Sequence, residues 1–348
     1  MTAASSVIAT PSSLSLARTA RGMTQNELAE RSRVSQAYLS KAEKGAVELS
    51  GERLAQVADA LGYPVEYFAT DPGAEPAATA CAFPRKRNSL PTSTEKRVRA
   101  LLQLTRMQVE PLLDDRVPAV IVPRRDPEDE DWITAVEMAE QVRTQADMPR
   151  GPIDNIVQFA ERLGVVVVVR DLGNRRLDAI GQWPIGHRPL MLVNASAPAD
   201  RARFTLCHEL GHAVMHTVVR PNQEEEADRF AAALLMPSAD ARDVFAGEVS
   251  LPRLAELKPI WGMSMASLAR RAWTAGRISD YRYRQLNIEL SAAGYRLTEP
   301  IQLRSERPSL LPASLARHLA AGENTISLAR RARMKPDEFS SLYLEDAA

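Results

Sequence analysis

Only two cysteines, Cys81 and Cys207, occur in 348 residues. Two isolated thiols cannot form a disulfide framework, so both are expected to be free, as suits a reducing compartment. Net charge is missing as well: Lys+Arg and Asp+Glu stand at 44 each, which removes any bulk electrostatic case for nucleic acid or a membrane surface and leaves only local patches to make one. No apolar run, GVVVVV at 164–169 included, is long enough to cross a bilayer. The opening MTAASSVIATPSS has neither the basic start nor the apolar centre of a secretion signal. These absences together point to the cytoplasm and to no membrane partner.

What is present describes a multidomain, ordered protein. The chain is longer than one ordinary core organises, its 45% hydrophobic and 25% charged residues are near the globular average, and its 23 prolines impose several hard breaks. Residues 1–70 read as a compact all-α unit. Its helical runs SLSLARTARG, TQNELAERS, SQAYLSKAEKG and SGERLAQVADALG each begin on Ser or Thr, and three close on Gly22, Gly45 and Gly62. Residues 71–95, rich in Pro, Ala and small polar residues around a basic Arg85-Lys86-Arg87 knot, have the composition of a linker. Residues 96–250 read as a helical connector running into an α+β domain. VVVVVR and PLMLVN are strands with a further short strand between them, and two helices follow at about 198–217 and 222–236. Residues 251–348 read as a helical C-terminal region, and no internal repeat emerges.

The stretch FTLCHELGHAVMH, 204–216, holds three of the five histidines. Four positions apart on a helix is one face, so His208 and His212 can aim two imidazole nitrogens at one point, the bite that zinc requires. Glu209 is turned about 100° away, outside the ligand set yet close enough to act as general base on the attacking water. A tetrahedral catalytic zinc needs a third protein ligand. The next helix, QEEEADRFAAALLMP, buries Ala227, Phe230, Ala231, Leu234 and Leu235; Glu224 lies nearest that stripe, Glu226 at its edge, and Glu225 away. Glu224 is therefore the expected ligand with Glu226 in reserve. Asp228, one turn after Glu224, can hold a ligating imidazole from behind. His216 and His187 are open between polarising a substrate carbonyl and simple capping or packing, and Cys207 points to another face as core filler.

RARFTLCHELGHAVMH with EEEADRFAAALLMP resembles the metallopeptidase domain of the ImmA/IrrE family, with Cys207 where alanine is commoner. The resemblance implies a small sheet beside the HExxH helix, a substrate segment added along the sheet edge, and the pairing of Glu224 with Asp228. It further implies narrow endopeptidase activity on a regulatory partner such as a repressor, in stress response or mobile-element transfer. MTQNELAERSRVSQAYLSKAEKG resembles the Xre/Cro-type helix-turn-helix. That likeness implies operator DNA as a partner, with Gln36, Tyr38, Ser40 and Lys41 exposed on the third helix and Gln25 at a helix start toward phosphate. One such head binds weakly, so a homodimer is expected on the operator. Two further segments, Ser264–Arg271 and Ile326–Arg331, each resemble half a helix-turn-helix, although arginine-covered packing helices account for them better. The rival reading is a non-proteolytic repressor or antitoxin-like protein in which the zinc is structural or sensory. A third is self-cleavage within the 71–95 linker.

Overall fold

A computed structural model of the chain describes residues 7–72, 91–124, 134–184, 186–216 and 221–344. Most of the expected linker, with Cys81, lies outside the described residues. Two compact units result, one drawn from Met1–Ala77, Lys86–Val117 and Leu310–Ala348, the other from Pro118–Ser309.

The first unit opens with α1 (Pro11–Ala20), α2 (Gln25–Ser32), α3 (Gln36–Glu43) and α4 (Gly51–Leu61), closed by a 3-10 turn at Val65–Ala69. The α1 cap is Thr10, whose hydroxyl accepts from the Ser13 amide, with Pro11 preset at the first helical position. Thr24 and Glu27 form a reciprocal capping box at the start of α2. Arg33, left-handed at φ 59, makes the sharp turn into α3, and Ser35 caps that helix. Leu14, Leu28, Leu39, Leu54, Val57 and Phe68 share one core, and it includes Ala100 and Leu104 of α5 (Thr92–Val109). The helix expected to lead into the α+β domain thus packs on the head.

The second unit begins with α6 (Ala135–Gln145) and α7 (Ile156–Arg162) and continues with β1 (Val166–Arg170), β2 (Ala179–Gln182) and β3 (Leu190–Asn194). The order is β1-β3-β2, with β1 parallel and β2 antiparallel to the central strand, so β2 is an edge. Asn194 ends β3 and fastens the loop before β2: its amide donates to the carbonyls of Asn174 and Leu177, and its oxygen accepts from Ser196. Helices α8 (Ala199–Met215) and α9 (Gln223–Leu235) follow, then α10 (Ser238–Val244), α11 (Leu251–Trp261), α12 (Met265–Thr274) and α13 (Asp280–Ala292). Residues 251–309, expected to open a separate region, belong to this unit because their charges anchor α8 and α9. Buried Lys258 donates to Asp200 at 2.6 Å and Glu299 at 2.6 Å, Arg203 pairs with Glu306, and Arg271 donates to the Met236 carbonyl at 2.9 Å.

The chain returns to the first unit with α14 (Leu310–Ala320), α15 (Thr325–Arg331) and α16 (Pro336–Tyr343). The likeness of Ile326–Arg331 to half a helix-turn-helix extends further in the structure. Asn324 caps α15 as Thr24 caps α2, Arg333 turns left-handed at φ 54 as Arg33 does, and Leu328, Met334 and Phe339 are buried as Leu28, Val34 and Leu39 are. Substitution at most surface positions hid the likeness, while caps, turn and core kept it. The third helix of this copy starts on Pro336, Asp337 and Glu338, and Glu338 takes the Arg21 guanidinium at 2.7 Å and 2.8 Å. It is docked on the head rather than presented as a basic reader.

Gly164 ends α7 at φ 86, and a Cβ there would lie 2.5 Å from the Ala119 carbonyl oxygen and 2.7 Å from the Val120 Cα. Backbone cannot yield as a side chain does, so Gly164→Ala is expected to cost about 2 kcal/mol or more. Thermal unfolding followed by circular dichroism checks this, and an unchanged midpoint would contradict it.

Candidate metal centre and DNA-reading face

Gly211 lies where α8 crosses α9, and a Cβ on it would meet the Phe230 ring at 2.9 Å. The missing side chain lets the two helices approach closely, which carries the first turn of α9 to the histidine face of α8. His208 and His212 are wholly buried, and their Nε2 atoms are 3.1 Å apart. Glu224 brings Oε2 to 3.6 Å from His208 Nε2 and Oε1 to 3.5 Å from His212 Nε2. These ligand atoms all lie within 4.8 Å of one another and form a possible metal site. A tetrahedral ion with ligands at about 2.0–2.1 Å sets its donor atoms roughly 3.3 Å apart, so the spacing fits one.

The chemistry of the donors points the same way. Asp228 Oδ1 is 2.9 Å from His208 Nδ1, and a carboxylate only accepts, so that nitrogen carries the proton and Nε2 turns a lone pair toward the site. With no cation, a proton takes its place. Burial works against a charge on His208, yet the carboxylates of Asp228 and Glu224 outweigh it and raise the imidazole to about 9. Burial and the neighbouring His208 and His216 depress His212 to about 2.

Glu209 faces the sheet, and its Oε2 accepts the Gly181 amide of the edge strand at 3.1 Å. The carboxylate is thus held beside the His208–His212–Glu224 group and outside it. Glu226 is not among the converging atoms; its Oε2 lies 2.9 Å from His216 Nε2. His216 in turn sets Nδ1 at 2.9 Å from His212 Nδ1 and is 1% exposed, which places it behind the ligand rather than in the cleft. His187 is exposed in the turn before β3. Cys207 is fully buried, and burial pushes its thiol up to about 12, as befits core filler. Sequence reasoning missed the Gly181 contact and Arg270 of α12, whose guanidinium stands 3.7 Å from Asp228 Oδ2. Neither had a signal in the sequence, since both depend on tertiary neighbours.

In the head, a chain of polar contacts runs from the interior to the surface. Arg18 pairs with Glu43 at 2.5 Å and 2.9 Å, Glu43 also accepts from Gln25 Nε2 at 2.8 Å, and Gln25 Oε1 accepts from Gln36 Nε2 at 2.8 Å. The two glutamines expected to meet DNA are therefore brought together and oriented by a part-buried ion pair. Lys41 is exposed, Ser40 half-buried, and Tyr38 half-buried with its hydroxyl donating to the Glu48 carbonyl at 2.5 Å and its ring 4.6 Å from the Arg53 guanidinium carbon.

Comparison with known families agrees with this anatomy. Residues 14–68 match the helix-turn-helix model, and residues 160–272 match the IrrE N-terminal-like domain of peptidase family M78. The chain is an N-terminal helix-turn-helix fused to an ImmA/IrrE-type domain. The IrrE-like match extends through α12, in accord with the Arg271 and Arg270 contacts that tie α12 to α9. No curated protein and no solved structure matches the chain. Among the described residues, no helix is long and apolar enough to cross a membrane.

Gly211→Ala tests how the site is assembled. An added methyl must displace the Phe230 ring, and with it the α9 turn that carries Glu224, so metal affinity is expected to fall at least tenfold. Titration against a chromophoric chelator measures this; parental affinity in the variant would mean that the close approach of α8 and α9 is not what builds the site.

Proposed function

We propose that the protein is a DNA-binding regulator whose ImmA/IrrE-type domain is a zinc endopeptidase of narrow specificity that cuts a regulatory protein partner. The observation that carries this reading is the convergence of His208, His212 and Glu224 within 4.8 Å beside a carboxylate, Glu209, that is not one of them. A purely structural zinc site has four protein ligands and no use for a neighbouring carboxylate base, which weighs against the structural or sensory alternative.

A zinc ion held by His208, His212 and Glu224 supplies Lewis acidity, which makes water nucleophilic near neutral pH and polarises the scissile carbonyl. The chain does the rest. Glu209 accepts the proton as the water oxygen attacks the carbonyl carbon, then passes it to the departing amine nitrogen as the C–N bond breaks. The Gly181 amide keeps the Glu209 carboxylate turned to the sheet side of the site. Asp228 fixes the His208 ring. Among the described residues β2, Ala179–Gln182, lies at the edge of the sheet, so a substrate segment laid beside it in extended form passes near Glu209. In the head, Gln36 reads base edges, Gln25 and Lys41 hold phosphates, Tyr38 and Ser40 line the same face, and two heads on a two-fold operator supply the affinity that one lacks.

Glu209→Gln keeps the shape of the general base and removes its basicity. Zinc content is expected to stay at the parental level while cleavage of the partner falls by at least about a thousandfold. The variant, used as a trap in a pull-down, retains the partner, and mass spectrometry of the parental reaction reads the cut. Equal cleavage by variant and parent would remove Glu209 from this role, and an intact partner with both proteins would leave only the non-proteolytic reading.

For the head, Gln36→Ala is expected to weaken binding about 5- to 150-fold on a DNA fragment selected by the parent from a random pool, with little change on unrelated DNA. Lys41→Ala should weaken both alike and shallow the salt dependence. Gel shifts across a salt series separate the two, and equal losses on both fragments for Gln36→Ala would contradict base reading.

A further inference from the structure

Helix α3 turns about 100° per residue, which sorts its side chains around the axis. Leu39 and Ala42 face the core, while Ala37, Lys41 and Lys44, all exposed, face away from it. Gln36 and Tyr38, about 200° apart, fall on the two flanks. The Gln36 flank meets α2 through Gln25. The Tyr38 flank meets the turn into α4 and the first turn of α4 itself: the Tyr38 hydroxyl donates to the Glu48 carbonyl at 2.5 Å, and the Arg53 guanidinium carbon lies over the Tyr38 ring, 4.6 Å from its centroid. We propose that Arg53 is a phosphate contact for the DNA strand on this flank, opposite the strand met by Gln25, and that Tyr38 is the positioning residue that holds Arg53 in place.

A major groove about 12 Å wide takes a helix about 10–12 Å across, so little room is left on either side. Gln36, at the first position of α3, leads into the groove, and the groups beside the helix, Gln25 on one flank and Arg53 on the other, stand against the two phosphate walls. Tyr38 cannot serve as the donor on its own flank, because its single O–H is committed to the Glu48 carbonyl. Arg53 can. It is exposed, and among the described residues no carboxylate takes it up, whereas Arg18 and Arg21 of the same unit are paired with Glu43 and Glu338. Stacking on a ring engages the face of a guanidinium and leaves its N–H groups, which lie in its plane, for an anion. An exposed arginine otherwise samples many rotamers, and the ring removes part of that freedom before DNA arrives. The Glu48 contact fixes the ring in turn, so α3, the turn at 44–50 and the start of α4 present one surface.

This inference rests on the DNA-binding reading of the head proposed above, and the test separates the two. Binding is measured by fluorescence anisotropy across a salt series, on the fragment selected by the parent from a random pool and on an unrelated one. The proteins are the full-length parent, Arg53→Ala, Tyr38→Leu, Tyr38→Phe, the double variant Arg53→Ala with Tyr38→Leu, and a charge control, Arg253→Ala, whose arginine pairs with Glu256 on α11. Arg53→Ala is expected to weaken binding about three- to tenfold on both fragments alike. It should also make the slope of log affinity against log salt shallower by about 0.9, the share of one phosphate. Tyr38→Leu moves affinity and slope in the same direction by less, and adds nothing once Arg53 is gone. Tyr38→Phe keeps the ring under Arg53 and restores the slope that Tyr38→Leu loses, and Arg253→Ala keeps the parental slope. Parental affinity and slope in Arg53→Ala overturn the phosphate contact and leave base reading by Gln36 standing. A loss for Tyr38→Leu that is the same with and without Arg53 overturns the positioning role. A parent that enriches no DNA from the pool overturns the DNA-binding reading and this inference with it.

Discussion

Gly211 has no side chain, and the Phe230 ring fills the space that one would take. Everything distinctive about the IrrE-like domain depends on that close approach. Helix α8 alone offers two imidazoles, an incomplete ligand set for any tightly held ion, and α9 alone offers three consecutive glutamates that would be solvated in isolation. Brought together at Gly211, Glu224 converges with the two imidazoles on a possible metal site, Glu226 meets His216, and Glu225 pairs outward with Arg229 on its own helix. The three take different parts because successive residues on a helix point about 100° apart while the partner surface stays fixed.

Burying two histidines among apolar helices is costly unless their polar atoms are satisfied. The domain meets that demand on the side away from the cleft, with Asp228 at the His208 ring and His216, itself backed by Glu226, at the His212 ring. Polar satisfaction and ligand geometry are one arrangement. The supports reach outward through Asp228 to Arg270 of α12, and the N-terminal part of α8 is moored by Arg201 to Asp178 and by Lys258 to Asp200. Helix α8 is thus fixed at several points along its length, and a site whose donor atoms must agree to within a fraction of an ångström needs that fixity.

Local patterns were legible in the sequence and long-range partners were not. The i, i+4 histidines, the Ser and Thr helix starts of the head, the strands at 166 and 190 and the helix-turn-helix register are written within a few residues, where spacing alone decides which side chains share a face. The contribution of Glu224 was readable because the apolar stripe of α9 points to the face that must turn inward. The His216–Glu226 contact was not, since it depends on the rotation of α9 about its axis relative to α8, and at sequence level Glu226 stood only as a reserve ligand. The contact of Glu209 with Gly181 needs the β2 edge to lie over α8. The placement of α5 and α14–α16 with the head needs the whole chain, and the later copy of the turn between Leu328 and Phe339 survives in caps and core alone, below what residue identity shows.

The measurement that bears most directly on all of this is the metal content of the freshly purified, untagged full-length protein, by elemental analysis, beside the same protein with His212 replaced by alanine. One zinc per chain in the parent and none retained in His212→Ala is the result the account predicts. No stoichiometric transition metal in the parent, or the same metal content in both, would contradict it.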